Sequence, residues 1–401
     1  MAMNHPSVFS FFSGAGFLDL GFESANYNIA YVNEIHAPFM RTYRHARQLM
    51  KLSEPEYGFF EGDIAALLEP KLASEMKTNL SEISEKTDCV GFIGGPPCPD
   101  FSVGGKNRGH TGDNGKLTAT YIDLICLQKP SFFVFENVKG LWKTRKHRAF
   151  YDEMKQKLHS CGYVTTERVI NTLEYGVPQH RERIILIGFR TDVLHDLGYR
   201  VTGNTLPDGA FPWEKHIRYP SEQIFSFPWK TTDPFVEDSI RPCPNDVPIE
   251  LTVEYWFRQN DVERHPNAKQ YFRPRAGLSK FAVIDEGDDS KKSYKRLHRW
   301  RYSPTAAYGN NEVHLHPYKT RRISVAEALA IQSLPKEFAL PLDMTLTDAF
   351  KTVGNGVPFL ASKAIAETIL DFLGVKLCSD SQPQTLSRQS EAWKKIELTT
   401  T

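Results

Sequence analysis

Seven short, nearly continuous apolar runs punctuate the first half of this chain, and helix-length segments separate several of them. The runs are Val8–Phe12, Ile29–Asn33, Gly58–Phe60, Val90–Gly94, Phe132–Glu136, Val164–Ile170 and Ile184–Phe189, and the intervening segments include Ala37–Lys51 and Arg148–Ser160. A strand that is apolar on both sides must be covered on both sides. Such strands alternating with helices predict an α/β fold, a doubly wound and mostly parallel sheet between helical layers. Sheets of this class bind ligands beyond the carboxyl ends of their strands. The chemically notable residues fall there: Gly14, Glu34, Asp63, Cys98 and Glu136 each end or follow a run.

The texture changes near Arg190. From there to about Thr320 the chain is rich in Pro, Trp, Tyr and Arg, with short apolar pieces and no helical period. This predicts loops and short strands in a second, smaller and irregular domain. Helical pattern then returns. Ser324 and Glu327 form a capping box ahead of Ala328–Ile331, and Pro335 stops that helix. Pro358 can open a last helix with an apolar stripe at Leu360, Ile365, Ile369 and Phe372, closed by Gly374. The expected organisation is a main domain over 1–190, an inserted domain over 191–320, a return segment over 321–375 and a polar, disordered tail over 376–401.

With 401 residues the chain is long enough for two domains, and 40% hydrophobic with 24% charged residues is an ordinary globular balance. The net charge of +1 announces no polyanion partner. No apolar run reaches the roughly 18 residues of a membrane span, and no signal peptide opens the chain. The six cysteines are scattered without a CxxC pair, so neither a zinc site nor a disulfide framework is indicated. A reducing cytoplasm is the expected compartment.

Phe12-Ser13-Gly14-Ala15-Gly16-Phe17 joins the first strand to a helix. A Gly-x-Gly turn there lets a ligand approach the backbone, but the third glycine of the dinucleotide fingerprint is missing. Glu34 ends the second strand, where a carboxylate can accept from ribose hydroxyls, and Asp63 can accept from an adenine amino group. An adenosine ligand without phosphates is implied, and S-adenosylmethionine fits.

Gly94-Gly95-Pro96-Pro97-Cys98 places a thiol just beyond a strand, on backbone that two prolines stiffen, as suits attack on an electrophilic carbon. A lone cysteine is more often a small buried hydrophobe. Its company decides otherwise. Phe135-Glu136-Asn137-Val138, Gln179-His180-Arg181-Glu182-Arg183, Arg321-Arg322-Ile323-Ser324 with Glu327, and Gly354-Asn355-Gly356-Val357-Pro358 follow in order. Over roughly 7–190 and 296–375 the chain resembles the DNA (cytosine-5) methyltransferase family of bacterial restriction–modification systems.

The resemblance implies a catalytic set of Cys98, Glu136, Arg181 and Arg183. Cys98 adds to C6 of cytosine, which makes C5 nucleophilic. Glu136 contacts N3 and the exocyclic amine, where a carboxylate that can carry a proton balances the accumulating charge. Arg183 contacts O2, and Arg181 supports the site; their i, i+2 spacing puts both on one strand face. The target base must be flipped out of the duplex, at a cost of about a few kcal/mol. Phe12, Gly14, Gly16, Glu34, Ile35, Asp63, Ile64, Pro96, Leu117 and Asn355 are the implied cofactor-binding residues. The glycine-rich segment 102–112 resembles the family's mobile catalytic loop, with Ser102, Lys106 and Arg108 facing DNA. Three residues depart from the family pattern: Pro99 in place of glutamine after the nucleophile, Phe17 in place of glycine, and Ile35 in place of the aromatic that stacks on adenine.

Between Lys291 and Arg322 nine bases stand against one acid, Glu312, with Trp300, Tyr302 and Tyr308 interleaved. A charge run is usually a solvated face. This one ends at a family motif, so Arg296, Arg299, Arg301 and Thr305 are read as DNA-binding. Arg258, Arg264, Arg273 and Arg275 are candidates for base-edge contacts. The reading is a monomeric, cytoplasmic bacterial enzyme without metal, using S-adenosylmethionine on double-stranded DNA, with a cognate endonuclease acting independently. A transfer-RNA-modifying branch shares the motifs but generally lacks an insert of about 130 residues. A dead methylase that only binds DNA would not need to keep Cys98, Glu136, Arg181 and Arg183 together.

Overall fold

A computed structural model describes residues 5–87, 89–97, 113–274, 278–291, 293–306, 308 and 312–374. Cys98, Ser102, Lys106, Arg108, Arg275 and the tail 376–401 lie outside the described residues. Seven strands form one sheet: β1 (Ser7–Phe11), β2 (Asn28–Asn33), β3 (Phe59–Phe60), β4 (Val90–Gly94), β5 (Phe132–Val138), β6 (Tyr163–Asn171) and β7 (Glu182–Arg190). Their order is β3-β2-β1-β4-β5-β7-β6. β1 to β5 run parallel, and β7 is antiparallel to both β5 and β6. In register, Phe11 lies opposite both Asn33 and Gly94, and Asn33 lies opposite Phe60. The carboxyl ends of β1 to β4 are therefore level. Strand order reverses at β1 and β4, which makes a topological switch point.

Helices cover both faces, as the apolar runs require. Val8, Ile29 and Val32 pack on one face with Leu18 and Phe22 of helix Phe17–Ser24 and Ile365 and Ile369 of helix Phe359–Leu373. Phe9, Phe11 and Phe92 face the other way, onto Leu80, Ile122, Ile125 and Leu158. The alternation of Val8 and Phe9 is the two-residue period of a strand. The last helix seats beside the first because residue 21 is glycine: a Cβ there would come within 2.3 Å of the Ser362 Cβ. The capping box of Ser324 and Glu327 is formed, and Gly374 closes the last helix at φ 68°. Among the described residues no helix is long and apolar enough to cross a membrane.

Two sequence expectations need correction. The irregular region has no extended strand among its described residues, only isolated bridges such as Asp233–Glu286 and Arg296–Leu315. Its regular elements are short helices, Thr191–Asp196, Ser221–Ser226, Val253–Gln259 and Leu278–Ala282. Pieces this short need a local nucleus, and Thr252 supplies one by accepting the Tyr255 N–H to cap a helix that buries Val253 and Phe257. Those two side chains join Leu297, Ile323 and Leu329 in one core, so the region shares its packing with the return segment. The second correction concerns sulfur. Cys126 and Cys161 form a disulfide with Cα atoms 5.5 Å apart. They sit at the ends of helices Asp113–Gln128 and Arg145–Ser160, brought together by packing across 35 residues that no spacing motif marks.

Candidate active site

The loop after β1 is folded around one carboxylate. Glu34, nearly buried, accepts the Gly14 N–H on Oε2 at 2.9 Å and the His36 N–H on Oε1 at 2.7 Å. The chain turns through positive φ at Phe12 (52°), Gly14 (58°) and Gly16 (82°). The two glycines serve different ends. A Cβ on Gly14 would meet nothing within 4 Å, leaving open space beside the backbone, whereas one on Gly16 would lie 2.5 Å from the Tyr43 ring. Gly14 fits close approach of a ligand and Gly16 fits close packing of the turn on the helix Ala37–Met50.

The other cofactor candidates line the same sheet edge. Ile35 is 62% exposed beside Glu34, an aliphatic face left open where the chain could have buried it. Asp63 caps the following turn, accepting the Ala65 N–H on Oδ1 at 2.9 Å, and Ile64 is buried beneath it. Phe12 lies edge-on to Tyr121, one helical turn from half-buried Leu117. Pro96 is buried at the exit of β4. Asn355 is exposed between two glycines, and a Cβ on Gly356 would lie 2.0 Å from the Phe17 ring. That contact presses the return segment against the first loop.

Beside this edge lies a second cluster of polar side chains. A Cβ on Gly95 would come within 2.9 Å of the Glu136 Oε2, so the glycine admits the carboxylate to the β4 exit. Asn137 donates to the Pro96 carbonyl at 3.4 Å. Arg183 is diagonal to Glu136 across the β5–β7 ladder, and its Nε lies 2.9 Å from Glu136 Oε1. The pair is in ion-pair range, yet Oε1 is buried and makes no hydrogen bond. Arg183 also donates to the Glu182 carbonyl at 2.8 Å. Arg181 precedes β7 and turns elsewhere: both terminal nitrogens donate to the Gly354 carbonyl at 3.1 Å. Burial, with Arg183 adding to it, pulls the Arg181 guanidinium down to about 9. The two arginines are thus neighbours with separate partners. Cys98 follows Pro97, the last residue described on this side.

The sequence reading missed Asp19, whose signal was a carboxylate between apolar neighbours in the helix Phe17–Ser24. It accepts from Ser10 Oγ and Tyr43 Oη, each at 2.7 Å, and burial pushes its carboxyl up to about 6. It fixes the Tyr43 ring against Gly16.

The basic run proves to be neither a solvated face nor, at two of its arginines, a phosphate-binding one. Arg296 is buried, donates to the carbonyls of Ile284, Phe281, His316 and Lys319, and stacks on Phe235. Arg299 is buried against Glu286, with Nε 2.7 Å from Oε1, and lies over the Tyr318 ring. Both are corrected from DNA contacts to internal struts, because their donors are spent inside the protein. Arg321 is held by Glu327 at 2.7 Å and Lys319 by Glu263 at 2.6 Å. Burial pulls His314 and His316 down to about 3, so both are neutral. Arg301, 3.9 Å from Asp289, and the exposed Thr305, whose hydroxyl donates to the His180 carbonyl, remain accessible. Arg299→Ala is therefore expected to cost about 3 kcal/mol of stability by leaving Glu286 buried without its main partner. A urea melt reads the loss. The slope of DNA affinity against salt should stay that of the parent; a shallower slope would return Arg299 to the phosphates.

A glycine turn and an acid at the switch point of a doubly wound sheet, next to a buried acid–arginine pair, are the arrangement of an α/β enzyme that takes a nucleoside-type ligand at its strand ends. The chain belongs to the C-5 cytosine-specific DNA methylase family, which it matches over residues 7–371. It is 55% identical to the type II methyltransferase M.NmeDI of Neisseria meningitidis serogroup C over 366 residues, 91% of this chain and 84% of that one. It is 29% identical to the type II methyltransferase M.FnuDI of Fusobacterium nucleatum, over 91% of this chain and 95% of that one. In fold it is similar to the Entamoeba histolytica methyltransferase EhMeth, at TM-score 0.56 and 14% identity, covering 92% of this chain and 99% of that one.

Proposed function

We propose that this enzyme methylates C5 of one cytosine in a short double-stranded DNA site, with S-adenosylmethionine as methyl donor, as the protective methylase of a restriction–modification system. The observation that carries the reading is the buried Glu136 carboxylate, its Oε2 against Gly95 and its Oε1 in ion-pair range of Arg183 without a hydrogen bond, where the chain runs on to Cys98. The ion pair with Arg183 leaves that oxygen without a hydrogen bond, and a ligand with a donor edge supplies one. The family match and the type II relatives support DNA as substrate and restriction–modification as context.

The cofactor edge fits S-adenosylmethionine. Each Glu34 oxygen keeps a lone pair for a ribose hydroxyl, exposed Ile35 offers a face to adenine, and Asp63 Oδ2 can accept the adenine amine. Gly14 leaves room beside the backbone, and Asn355 borders the same loop. The bound cofactor supplies an electrophilic sulfonium methyl. Cys98 adds as thiolate to C6 of the flipped cytosine, forming a C–S bond and moving the ring's electron pair toward N3 and C5. Glu136 holds a proton at N3 and accepts the exocyclic amine, which offsets the charge on the ring. Arg183 turns from Glu136 to O2. Once C5 has taken the methyl, with the thioether as leaving group, its proton leaves to a base, the N3 proton returns to Glu136 and the Cys98 thiolate is eliminated, restoring the ring. Arg301 and Thr305, with Ser102, Lys106 and Arg108, serve the phosphates.

Bisulfite sequencing of DNA from a methylation-free host expressing the chain tests the reading. Protected cytosines confined to one short motif are the expected result. Soluble protein with no protected DNA cytosine would overturn it and turn attention to RNA.

A further inference from the structure

We infer that Arg181 is a positioning residue that ties the cytosine pocket to the cofactor turn, by holding the Gly354 carbonyl so that Asn355 is presented to the adenosine edge. The inference rests on the proposed cofactor and deepens the reading of that site. Helix Leu346–Asn355 ends with carbonyls that no residue of its own can satisfy. Two side chains from elsewhere take them: Gln332 Nε2 donates to the Val353 carbonyl at 2.9 Å, and Arg181 donates twice to the Gly354 carbonyl at 3.1 Å. A cation at a helix carboxyl end also meets the negative pole of the helix.

The next residue is Asn355, and the one after it is locked by the close fit of Gly356 on Phe17. The Asn355 backbone is thus pinned on both sides, by Arg181 and by the loop that follows β1. Arg181 stands two residues before Arg183, the partner of Glu136. A single strand start therefore holds the cytosine pocket with one arginine and the cofactor turn with the other. Arg181 is almost fully buried beside a like charge. A buried cation is a costly device for capping a helix, where a neutral donor would serve, unless two-point geometry is required.

The test is the affinity of the DNA-free, full-length protein for S-adenosylhomocysteine, by titration calorimetry. Arg181→Ala is expected to weaken it about tenfold in protein that is still folded by circular dichroism. Arg181→Lys, which keeps the charge and one donor, should weaken it by about threefold. In an Asn355→Ala background, Arg181→Ala should add little further loss, because both changes remove the same contact. Unchanged affinity in folded Arg181→Ala would overturn the inference, as would full additivity with Asn355→Ala. A purely structural contact would lower the unfolding midpoint and leave the affinity of the folded fraction unmoved. If Arg181→Ala does not fold, Arg181→Lys decides alone, and parental affinity there is the overturning result. Failure of the parent protein to bind S-adenosylhomocysteine would instead overturn the cofactor reading itself, so the two failures are separable.

Discussion

Cys98→Ala should lose more than about 10⁴-fold in turnover while binding its DNA site within about twofold of the parent. C5 of cytosine is a weak nucleophile, and no group other than a covalently added one raises its electron density enough to take a methyl. In the proposed mechanism, removing the thiol removes the reaction path rather than a contribution to it. The expected readouts are loss of labelled methyl transfer and loss of the cofactor-dependent covalent complex on DNA containing a C5-fluorinated cytosine. Cys98→Ser should behave nearly as badly, because a hydroxyl is ionised far less than a thiol at neutral pH. Among the described residues no other cysteine stands at this edge of the sheet. Cys89 is buried at the amino end of β4, Cys126 and Cys161 are bonded to each other, Cys243 is exposed in the irregular region, and Cys378 lies outside the described residues. Turnover above about 1% of the parent in Cys98→Ala would remove the covalent mechanism.

What could be read from the sequence follows from where the free energy lies. β1 and β4 are buried along their whole length, so their apolar runs mark them within a residue. β6 runs from Tyr163 to Asn171, one residue beyond the expected run at each end, although Thr166 to Val169 are half-exposed at the sheet edge. Glu34 was legible as an acid at a strand end. Its bonds to Gly14 and His36 were not, since they depend on how tightly the loop folds back. The arginines show why counting charge along a chain misleads. Arg299 finds Glu286 and Arg321 finds Glu327, both just outside the window in which bases outnumbered acids. The spacing of Arg181 and Arg183 pointed to one strand face and a shared role. The strand begins at Glu182, so Arg181 is free to turn toward Gly354. Local pattern fixes elements and their ends, whereas the partner of a buried polar group is a property of the packed chain.

Glu136→Gln should lower kcat by about 10²–10³-fold with the cofactor affinity of the DNA-free protein unchanged. Glutamine keeps the shape that Gly95 accommodates, and its amide can still face the amine of a cytosine. It cannot hand a proton to N3, so the charge that accumulates as Cys98 adds to C6 is left without its balance. Glutamine also deprives Arg183 of its counter-charge, which sits 2.9 Å away in a pocket that admits little water. That second effect lowers the unfolding midpoint and is separated from the first by scaling turnover to the folded fraction. Arg183→Lys divides them further: it keeps a cation for Glu136 but loses the forked geometry suited to cytosine O2, so it should retain stability better than rate. If the thiol adds without help from this carboxylate, Glu136→Gln will form the covalent complex on C5-fluorinated cytosine as fast as the parent. The reading expects that complex to form at least about a hundredfold more slowly, because the proton at N3 is needed when the C–S bond forms rather than after it.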